Sequence, residues 1–175
     1  MFKISKKSKS IEGVLNISGS KSESNRLLIL RAFTSYFDIN NISDSDDTNV
    51  MISAINSNQE KIDIGHAGTA MRFLTSYFSS IENSSVILTG SKRMRERPIS
   101  VLVDALKELD VDISYLENEG YPPIRINGRV IKKKQVNLPA NVSSQYISSL
   151  MMLGVSLHKG LVINLVLYEG ILQAS

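Results

Sequence analysis

The chain has 175 residues, of which 42% are hydrophobic and 21% are charged, enough for roughly one domain with a packed core. It lacks cysteine and has two histidines, which excludes disulfides and thiolate metal sites and disfavours a His-rich zinc centre or a Ser-His-Asp hydrolase. Its 20 basic and 17 acidic residues give a net charge of +3, which suits an anionic small molecule as well as a nucleic acid. The sequence shows neither a signal peptide nor an apolar run long enough to span a membrane, so we expect a cytoplasmic location.

Helical and strand patterns alternate along the chain. Helices are predicted over about 22–37, 46–56, 70–78, 99–109 and 146–153, and strands at 62–64, 86–88, 111–115, 124–126, 136–138 and 161–167. The first helix is apolar almost all round, which predicts burial on most of its sides. This order predicts an α/β chain built from a recurring α–β unit.

Four polar clusters lie at the starts of predicted helices: Gly19–Arg26, Gly65–Arg72, Arg93–Pro98 and Asn141–Gln145. A helix N-terminus carries free N–H groups and partial positive charge, so it attracts anions and disfavours cations. Lys21 and Arg97 are nevertheless expected there, and Pro98, which suits a first helical turn, puts Arg97 at or near an N-cap. A bound anion would resolve this conflict, and four such clusters predict a polyanion or a pair of anions as ligand.

Each cluster also has a purely structural interpretation. Ser20 and Glu23 match a capping box, and Ser143 can be a simple N-cap. Asp46 and Asp47 are interpreted as helix-start residues rather than a general base. The three lysines at 132–134 are interpreted as a solvated turn.

The clusters resemble the motifs of one enzyme family. Gly19–Arg26 resembles the G-S-K-S-x-S-N-R motif of the 5-enolpyruvylshikimate-3-phosphate (EPSP) synthases. The segments 67–72, 88–99 and 138–146 resemble three further motifs of that family, in its order and spacing. The resemblance implies transfer of the enolpyruvyl group of phosphoenolpyruvate to the 5-hydroxyl of shikimate 3-phosphate, with release of phosphate, in the shikimate pathway to chorismate and the aromatic amino acids. It also implies that no metal or organic cofactor takes part.

The resemblance implies a set of residues for shikimate 3-phosphate. Lys21 would contact phosphoenolpyruvate and the reacting hydroxyl, and it is the residue to which a catalytic role is assigned. Ser22 and Arg26 would bind the shikimate moiety. Ser143 and Ser144 would bind its 3-phosphate.

A second set is implied for phosphoenolpyruvate. Gly68 would offer its backbone, Arg97 would clamp the phosphate, and Gln145 would lie between the two ligands. Glyphosate competes for this site in the family, so the surroundings of Gly68 would govern sensitivity to it. The chain departs from the family pattern at His66, where Asn is usual, and at Phe73, where Pro is common.

The family fold is an enolpyruvyl-transferase domain of three α–β units with buried helices, present twice. This chain would supply about two of the three units of one domain, as an N-terminal fragment. Residues 19–175 would form this partial domain, whereas residues 1–18 would belong with the other domain and be less well anchored. The segment 168–175 departs from the family and is interpreted as a truncation or a foreign tail. Family members are usually monomeric, but an incomplete domain exposes apolar surface, so we expect self-association and no turnover by the chain alone.

Two other functions stay open at this point. A UDP-N-acetylglucosamine enolpyruvyl transferase would share the architecture and phosphoenolpyruvate, although the first motif, Gly19–Arg26, fits the shikimate enzyme better. A non-enzymatic module that binds a polyanion is compatible with the net charge. No basic run is interleaved with aromatic residues, so nucleic acid is not an expected partner.

Overall fold

The computed structural model describes residues 2, 3, 5 and 12–167. Its helices are α1 (Lys21–Thr34), α2 (Asp46–Ile55), α3 (Gly68–Ser79), α4 (Lys92–Arg95), α5 (Ser100–Glu108) and α6 (Ser144–Ser156). Its strands are β1 (Lys61–Asp63), β2 (Ser85–Thr89), β3 (Asp112–Tyr115), β4 (Ile124–Asn127), β5 (Gln135–Pro139) and β6 (Val162–Val166). Among the described residues, none of the helices is long and apolar enough to cross a bilayer.

The strands form two separate sheets. The four-stranded sheet has the order β1-β2-β4-β3, with β1 parallel to β2 and with β4 antiparallel to both β2 and β3. The second sheet pairs β5 with β6 in parallel, in the register Val136 to Ile163. Both parallel pairs are joined through one helix, as β1–α3–β2 and as β5–α6–β6, with α4 and α5 leading from β2 into the β3–β4 hairpin. The recurring α–β unit predicted from the sequence is therefore present.

Helix α3 lies at the centre of the molecule. It packs against α1, α2, α5 and α6 and against the larger sheet. Phe73 and Leu74 are fully buried and Met71 is nearly so, while alternate strand residues such as Leu88 and Ile126 cover the other side of the core. Because α3 is enclosed by other elements, its first turn has a fixed position relative to its neighbours.

Helix α1 differs from the prediction in its length and its burial. It ends at Thr34 rather than near residue 37, because Ser35 adopts a left-handed conformation with φ 54° and caps the helix. The prediction of burial on most sides was wrong, since Leu28 and Ile29 are buried but Leu27 is 37% exposed. In the described part of the chain, α1 packs on α2, α3 and α6 through one side, and its other side faces solvent.

The segment between β2 and α5 also differs from the prediction. The short helix α4, which no periodicity indicated, is capped by the Ser91 hydroxyl, which accepts from the Met94 N–H. Helix α5 begins at Ser100 with Ile99 as its N-cap, so Pro98 precedes the helix and Arg97 is not at the N-cap. The Ile99 N–H donates to the Gly120 carbonyl at 2.9 Å, and this tertiary bond fixes the helix start beyond the proline.

The N-terminal segment is exposed where the structure describes it. Residues 12–18 form no helix or strand, and each is exposed. The assignment of residues 1–18 to another domain stays a prediction. The predicted foreign or truncated tail, 168–175, lies outside the described residues.

Candidate functional site

The starts of α1, α3 and α6 come together on one side of the molecule. The Gln145 side-chain amide donates to the Thr69 hydroxyl at 3.5 Å, and these are the second residues of α6 and α3. The Arg26 guanidinium in α1 donates to the Ser148 hydroxyl at 3.4 Å and lies 5.4 Å from the centre of the Phe73 ring. Three of the four polar clusters predicted from the sequence therefore share one surface.

The start of α1 carries a cation that has an acidic neighbour. Ser20 is the N-cap and accepts from the Glu23 N–H at 3.4 Å, so this half of the predicted capping box is confirmed. Lys21 is the first helical residue, and its Nζ lies 3.6 Å from Oδ2 of Asp47 in the first turn of α2. Asp47 was predicted as a helix-start residue, which is confirmed, but its pairing with Lys21 was not predicted.

Buried polar contacts fix α1 to the segment that carries Asp47. The Ser24 hydroxyl accepts from the Ser43 N–H at 2.9 Å, and the Asn25 side-chain oxygen accepts from the Thr48 hydroxyl at 2.9 Å. These groups are almost completely buried, so their loss would leave polar atoms without partners. They hold the start of α1 against the start of α2 and set the distance between Lys21 and Asp47.

Two guanidinium groups lie against Gly68. A Cβ atom at this position would be 2.5 Å from Nη1 of Arg97 and 3.2 Å from Nη1 of Arg72. Arg72 is 9% exposed, donates to the Gly68 carbonyl at 2.8 Å and lies 5.2 Å from the centre of the Tyr146 ring. The absence of a side chain at Gly68 is what allows both cations to approach the first turn of α3.

A cavity of about 570 Å³ opens beside this pair and is lined by His66, Arg93, Met94 and Arg97. Nδ1 of His66 is 2.8 Å from the Ser91 hydroxyl. Within the described residues, neither Arg93 nor Arg97 forms an ion pair with a carboxylate, and the same holds for Arg72. The cavity therefore has a positive potential at a helix N-terminus, which suits an anionic ligand.

The start of α6 presents hydroxyl groups to the same surface. Ser143 is the N-cap and accepts from the Gln145 N–H at 3.4 Å, as predicted. Ser144 is the first helical residue and is exposed. Deeper in the helix, the buried Ser149 hydroxyl donates to the Arg72 carbonyl at 2.8 Å and so ties α6 to α3.

Comparison with known proteins identifies the family. A model of EPSP synthase (3-phosphoshikimate 1-carboxyvinyltransferase) matches residues 53–169. The chain belongs to the EPSP synthase family. The match contains the motifs around Gly68, Arg97 and Ser143 and begins after the motif around Lys21. The family resemblance inferred from the motifs is confirmed.

Relatives and solved structures agree with this family. The chain is 50% identical over 156 residues to a 3-phosphoshikimate 1-carboxyvinyltransferase of Bacteroides fragilis, covering 89% of this chain and 38% of that protein. It is 39% identical over 171 residues to one from Haemophilus influenzae, covering 81% and 40%. An EPSP synthase structure from Acinetobacter baumannii superimposes with a TM-score of 0.70 at 20% identity, over 83% of this chain and 38% of that one. This confirms the predicted fold class, and the chain spans about two fifths of the length of its EPSP synthase relatives.

The structure brings together many of the residues predicted for the site. Gly68 and Arg97 are adjacent, while Gln145 and Arg26 join the three helix starts. Lys21 stands at one edge, paired with Asp47. The ligand roles of these EPSP synthase residues stay predictions. Within residues 2, 3, 5 and 12–167, no cluster of three or more His, Asp or Glu side chains could hold a metal ion.

Some contacts of the site carried no sequence signal. Asp47 is 26 positions from Lys21. Tyr146 bonds to Pro98 in the segment before α5, and Ser148 bonds to Arg26 of α1. By contrast, the four-residue spacing of Gly68 and Arg72 places them on one helix face, and the structure joins them by a hydrogen bond.

Proposed function

We propose that this chain is part of an enzyme that transfers the enolpyruvyl group of phosphoenolpyruvate to the 5-hydroxyl of shikimate 3-phosphate and releases phosphate. The observation that carries the proposal is the approach of Arg72 and Arg97 to Gly68, two cations without a carboxylate partner in the described residues. Membership of the EPSP synthase family supports this choice of anions. Because the chain covers 38% of a relative, catalysis is proposed for the complete protein.

Phosphoenolpyruvate is proposed to bind at Gly68. Arg97 is exposed, and its planar guanidinium can donate two parallel hydrogen bonds to a phosphate. Gly68 is the first residue of α3, so this region also has the partial positive charge of a helix N-terminus. Gln145, anchored on Thr69, would lie between this ligand and the second one.

Shikimate 3-phosphate is proposed to bind between α1 and α6. Ser143 and Ser144 would bind its 3-phosphate at the start of α6, where the partial positive charge of a helix N-terminus attracts anions. Ser22 and Arg26 would bind the shikimate moiety. The guanidinium of Arg26 is held in place by the Ser22 carbonyl at 2.8 Å and by Ser148.

In the complete enzyme the 5-hydroxyl loses its proton as its oxygen attacks C2 of phosphoenolpyruvate, and C3 receives a proton as the C2–C3 double bond becomes a single bond. The tetrahedral intermediate then loses phosphate from C2 and a proton from C3, which restores the enol double bond. Lys21 is proposed to stabilise charge at the reacting hydroxyl, and Arg97 to stabilise the departing phosphate. No acid of this chain is proposed as the general base. Asp47, the acid beside Lys21, forms an ion pair with that lysine.

The chain is proposed to consist of two parts. Residues 19–175 are proposed as a partial enolpyruvyl transferase domain, and residues 1–18 as a segment that packs with another domain; the exposure of 12–18 supports this. We expect no turnover by the chain alone. We also expect some self-association, which analytical ultracentrifugation would measure. Apolar side chains that are exposed in the described residues, such as Met151 and Leu165, support this expectation. The phosphorylated substrates favour a cytoplasmic location.

Amide NMR of the isotope-labelled chain tests the ligand assignment. Shikimate 3-phosphate should shift the amides near Arg26 and Ser144, and phosphoenolpyruvate should shift those near Gly68 and Arg97. Arg97→Lys should weaken the second effect, whereas the control Arg129→Lys, at an exposed arginine that donates to the Asp110 carbonyl, should not.

Three outcomes would contradict the proposal. Saturation by UDP-N-acetylglucosamine without a response to shikimate 3-phosphate would favour the related transferase. Salt-sensitive binding of any oligonucleotide would favour a polyanion-binding module. The third test uses a longer protein that contains this chain and is as long as its relatives. If neither substrate binds that protein, both assigned ligands are excluded.

A further inference from the structure

Tyr146 connects the two halves of the proposed site. It lies in the first turn of α6, directly after Gln145, and is 7% exposed. Its hydroxyl donates to the Pro98 carbonyl at 2.9 Å, and its ring lies 5.2 Å from Cζ of Arg72. One side chain of α6 therefore touches both groups of residues that carry the cations at Gly68.

The bond to Pro98 acts on the backbone next to Arg97. On one side the Arg97 N–H donates to the Met94 carbonyl at 3.1 Å, and on the other the Ile99 N–H donates to the Gly120 carbonyl at 2.9 Å. Between these two bonds, the Pro98 carbonyl accepts from Tyr146. The Arg97 side chain is exposed, so its approach to Gly68 depends on where this short backbone segment is held.

The contact with Arg72 acts on the other cation. Nε of Arg72 is buried and has no hydrogen-bond partner among the described residues. The face of the Tyr146 ring stabilises this guanidinium through a cation–π contact, which is stronger where water is excluded. Arg72 then reaches the Gly68 carbonyl at 2.8 Å.

We propose that Tyr146 is a positioning residue that couples the two ligand subsites. A ligand on Ser143 and Ser144 fixes the first turn of α6, and with it the side chain of Tyr146. Through its contacts, Tyr146 then restricts the positions of the Pro98 backbone and the Arg72 guanidinium. Arg97 and Arg72 are therefore held in position beside Gly68 when shikimate 3-phosphate is bound. By linkage, each ligand increases the affinity for the other. The inference rests on the proposed function, because it uses the two ligands assigned there.

Tyr146→Phe isolates the hydroxyl, since it keeps the ring and removes the bond to Pro98. The matched control is Tyr77→Phe, the same change at a half-buried tyrosine that packs on Phe33 and Phe78 in the second half of α3. Two measurements are made on each protein. The first is the heteronuclear NOE of backbone amides 96, 97 and 99 without ligand. The second is the affinity for phosphoenolpyruvate with and without saturating shikimate 3-phosphate.

In Tyr146→Phe, the backbone at Arg97 should become more mobile. The affinity for phosphoenolpyruvate in the presence of shikimate 3-phosphate should fall about three- to tenfold, the range of one neutral hydrogen bond. The affinity for shikimate 3-phosphate alone should change by less than about twofold, because its proposed contacts are untouched. Tyr77→Phe should leave both affinities and the amides near Arg97 unchanged.

Three outcomes would overturn the inference. They are an unchanged NOE at Arg97, an equal loss of both affinities together with a lower melting temperature, and a preserved coupling between the ligands. If the unsubstituted chain binds neither ligand, the proposed function is contradicted for this chain, and the NOE comparison still decides whether Tyr146 positions Arg97.

Discussion

Arg97 occupies the space that a side chain at Gly68 would need. Its Nη1 lies 2.5 Å from the position of a Cβ on Gly68, and Nη1 of Arg72 lies 3.2 Å from it. Arg97 is the end of a flexible, exposed side chain and can move away, whereas Arg72 is buried and bonded to the Gly68 carbonyl. An added methyl group would therefore change the ligand site more than the fold.

Gly68→Ala should separate stability from binding. Alanine favours a helix interior over glycine by about 1 kcal/mol, and less at a first helical position such as Gly68. Because this gain offsets part of the crowding, the free energy of unfolding in urea should change by less than about 1 kcal/mol. The affinity for phosphoenolpyruvate should fall about tenfold, because losing one charge-assisted contact to Arg97 costs about 1.5 kcal/mol. Calorimetric titration measures this, with the helical glycine variant Gly154→Ala as control. Equal affinity in Gly68→Ala and the unsubstituted chain would show that Arg97 does not bind the phosphate from its present position.

Asp47→Asn should increase anion binding near Lys21. Lys21 is exposed and Asp47 is partly exposed, with side-chain exposures of 51% and 26%, so the pair contributes about 0–1 kcal/mol to stability. Removing the carboxylate frees Lys21, and the affinity for shikimate 3-phosphate at low salt should rise about two- to fivefold. Added salt should reduce this gain by screening.

Asp46→Asn is the matched control for this change. Asp46 also lies in the first turn of α2 but belongs to none of the ion pairs among the described residues. Both variants lose a favourable charge at a helix start, and only Asp47→Asn frees Lys21. A similar gain in both variants would mean that net charge, rather than this pair, controls the affinity.

The neighbouring serines of α6 should respond differently to alanine. Ser143→Ala removes the N-cap hydroxyl that accepts from the Gln145 N–H and should lower the free energy of unfolding by about 0.5–2 kcal/mol. Ser144 is the first helical residue and is not the cap, so Ser144→Ala should leave stability within about 0.5 kcal/mol of the unsubstituted chain. Both variants should bind shikimate 3-phosphate more weakly. Thermal unfolding beside a titration checks this, and equal destabilisation by both would contradict the assignment of Ser143 as the cap.

Tyr115 should make the fold less stable at high pH. Burial, with the charges of Asp104 and Glu119, raises the pKa of Tyr115 to about 12. An unfolded tyrosine loses its proton near a pKa of about 10, so between these values the unfolded chain binds fewer protons than the folded one. The free energy of unfolding should therefore decrease as the pH rises from about 10 to about 12.

Comparison with Tyr115→Phe isolates this effect from other groups that titrate in the same range. Urea unfolding at several pH values should give a shallower decrease for the variant. In Tyr115→Phe, the ultraviolet absorbance of phenolate should lack the one tyrosine that titrates near pH 12. An identical slope in both proteins would exclude Tyr115 as the source.

Periodicity predicted most helices and strands because the molecule buries one side of most of them. Helix α3 is the clearest case, since residues from Ala70 to Phe78 that match helical spacing are those that form the centre of the core. Helix α4 was missed because four residues are too short to show a period. Leu27 was placed wrongly because apolar character does not reveal which neighbours cover a helix.

The site was predictable where a local rule decides the structure. Lys21, Gly68 and Ser143 lie at helix starts, as capping residues and glycines indicated. Pro98 was wrongly placed in the first turn of α5, because a distant contact, the bond from Ile99 to Gly120, fixes the start of that helix. The pairing of Lys21 with Asp47 and the bond from Tyr146 to Pro98 depend on tertiary structure, and no local pattern encodes them.

The contacts that join the three helix starts, and the one that joins α6 to Pro98, close very long loops. Arg26 and Ser148 are 122 residues apart, Thr69 and Gln145 are 76 apart, and Pro98 and Tyr146 are 48 apart. Contacts between distant residues form slowly, because the chain must lose loop entropy before they stabilise it. In a refolding experiment, far-ultraviolet circular dichroism would report helices early, whereas the ability to bind an anion would return only with the slowest phase. The time at which anion binding recovers therefore shows when the contacts between distant residues of this chain have formed.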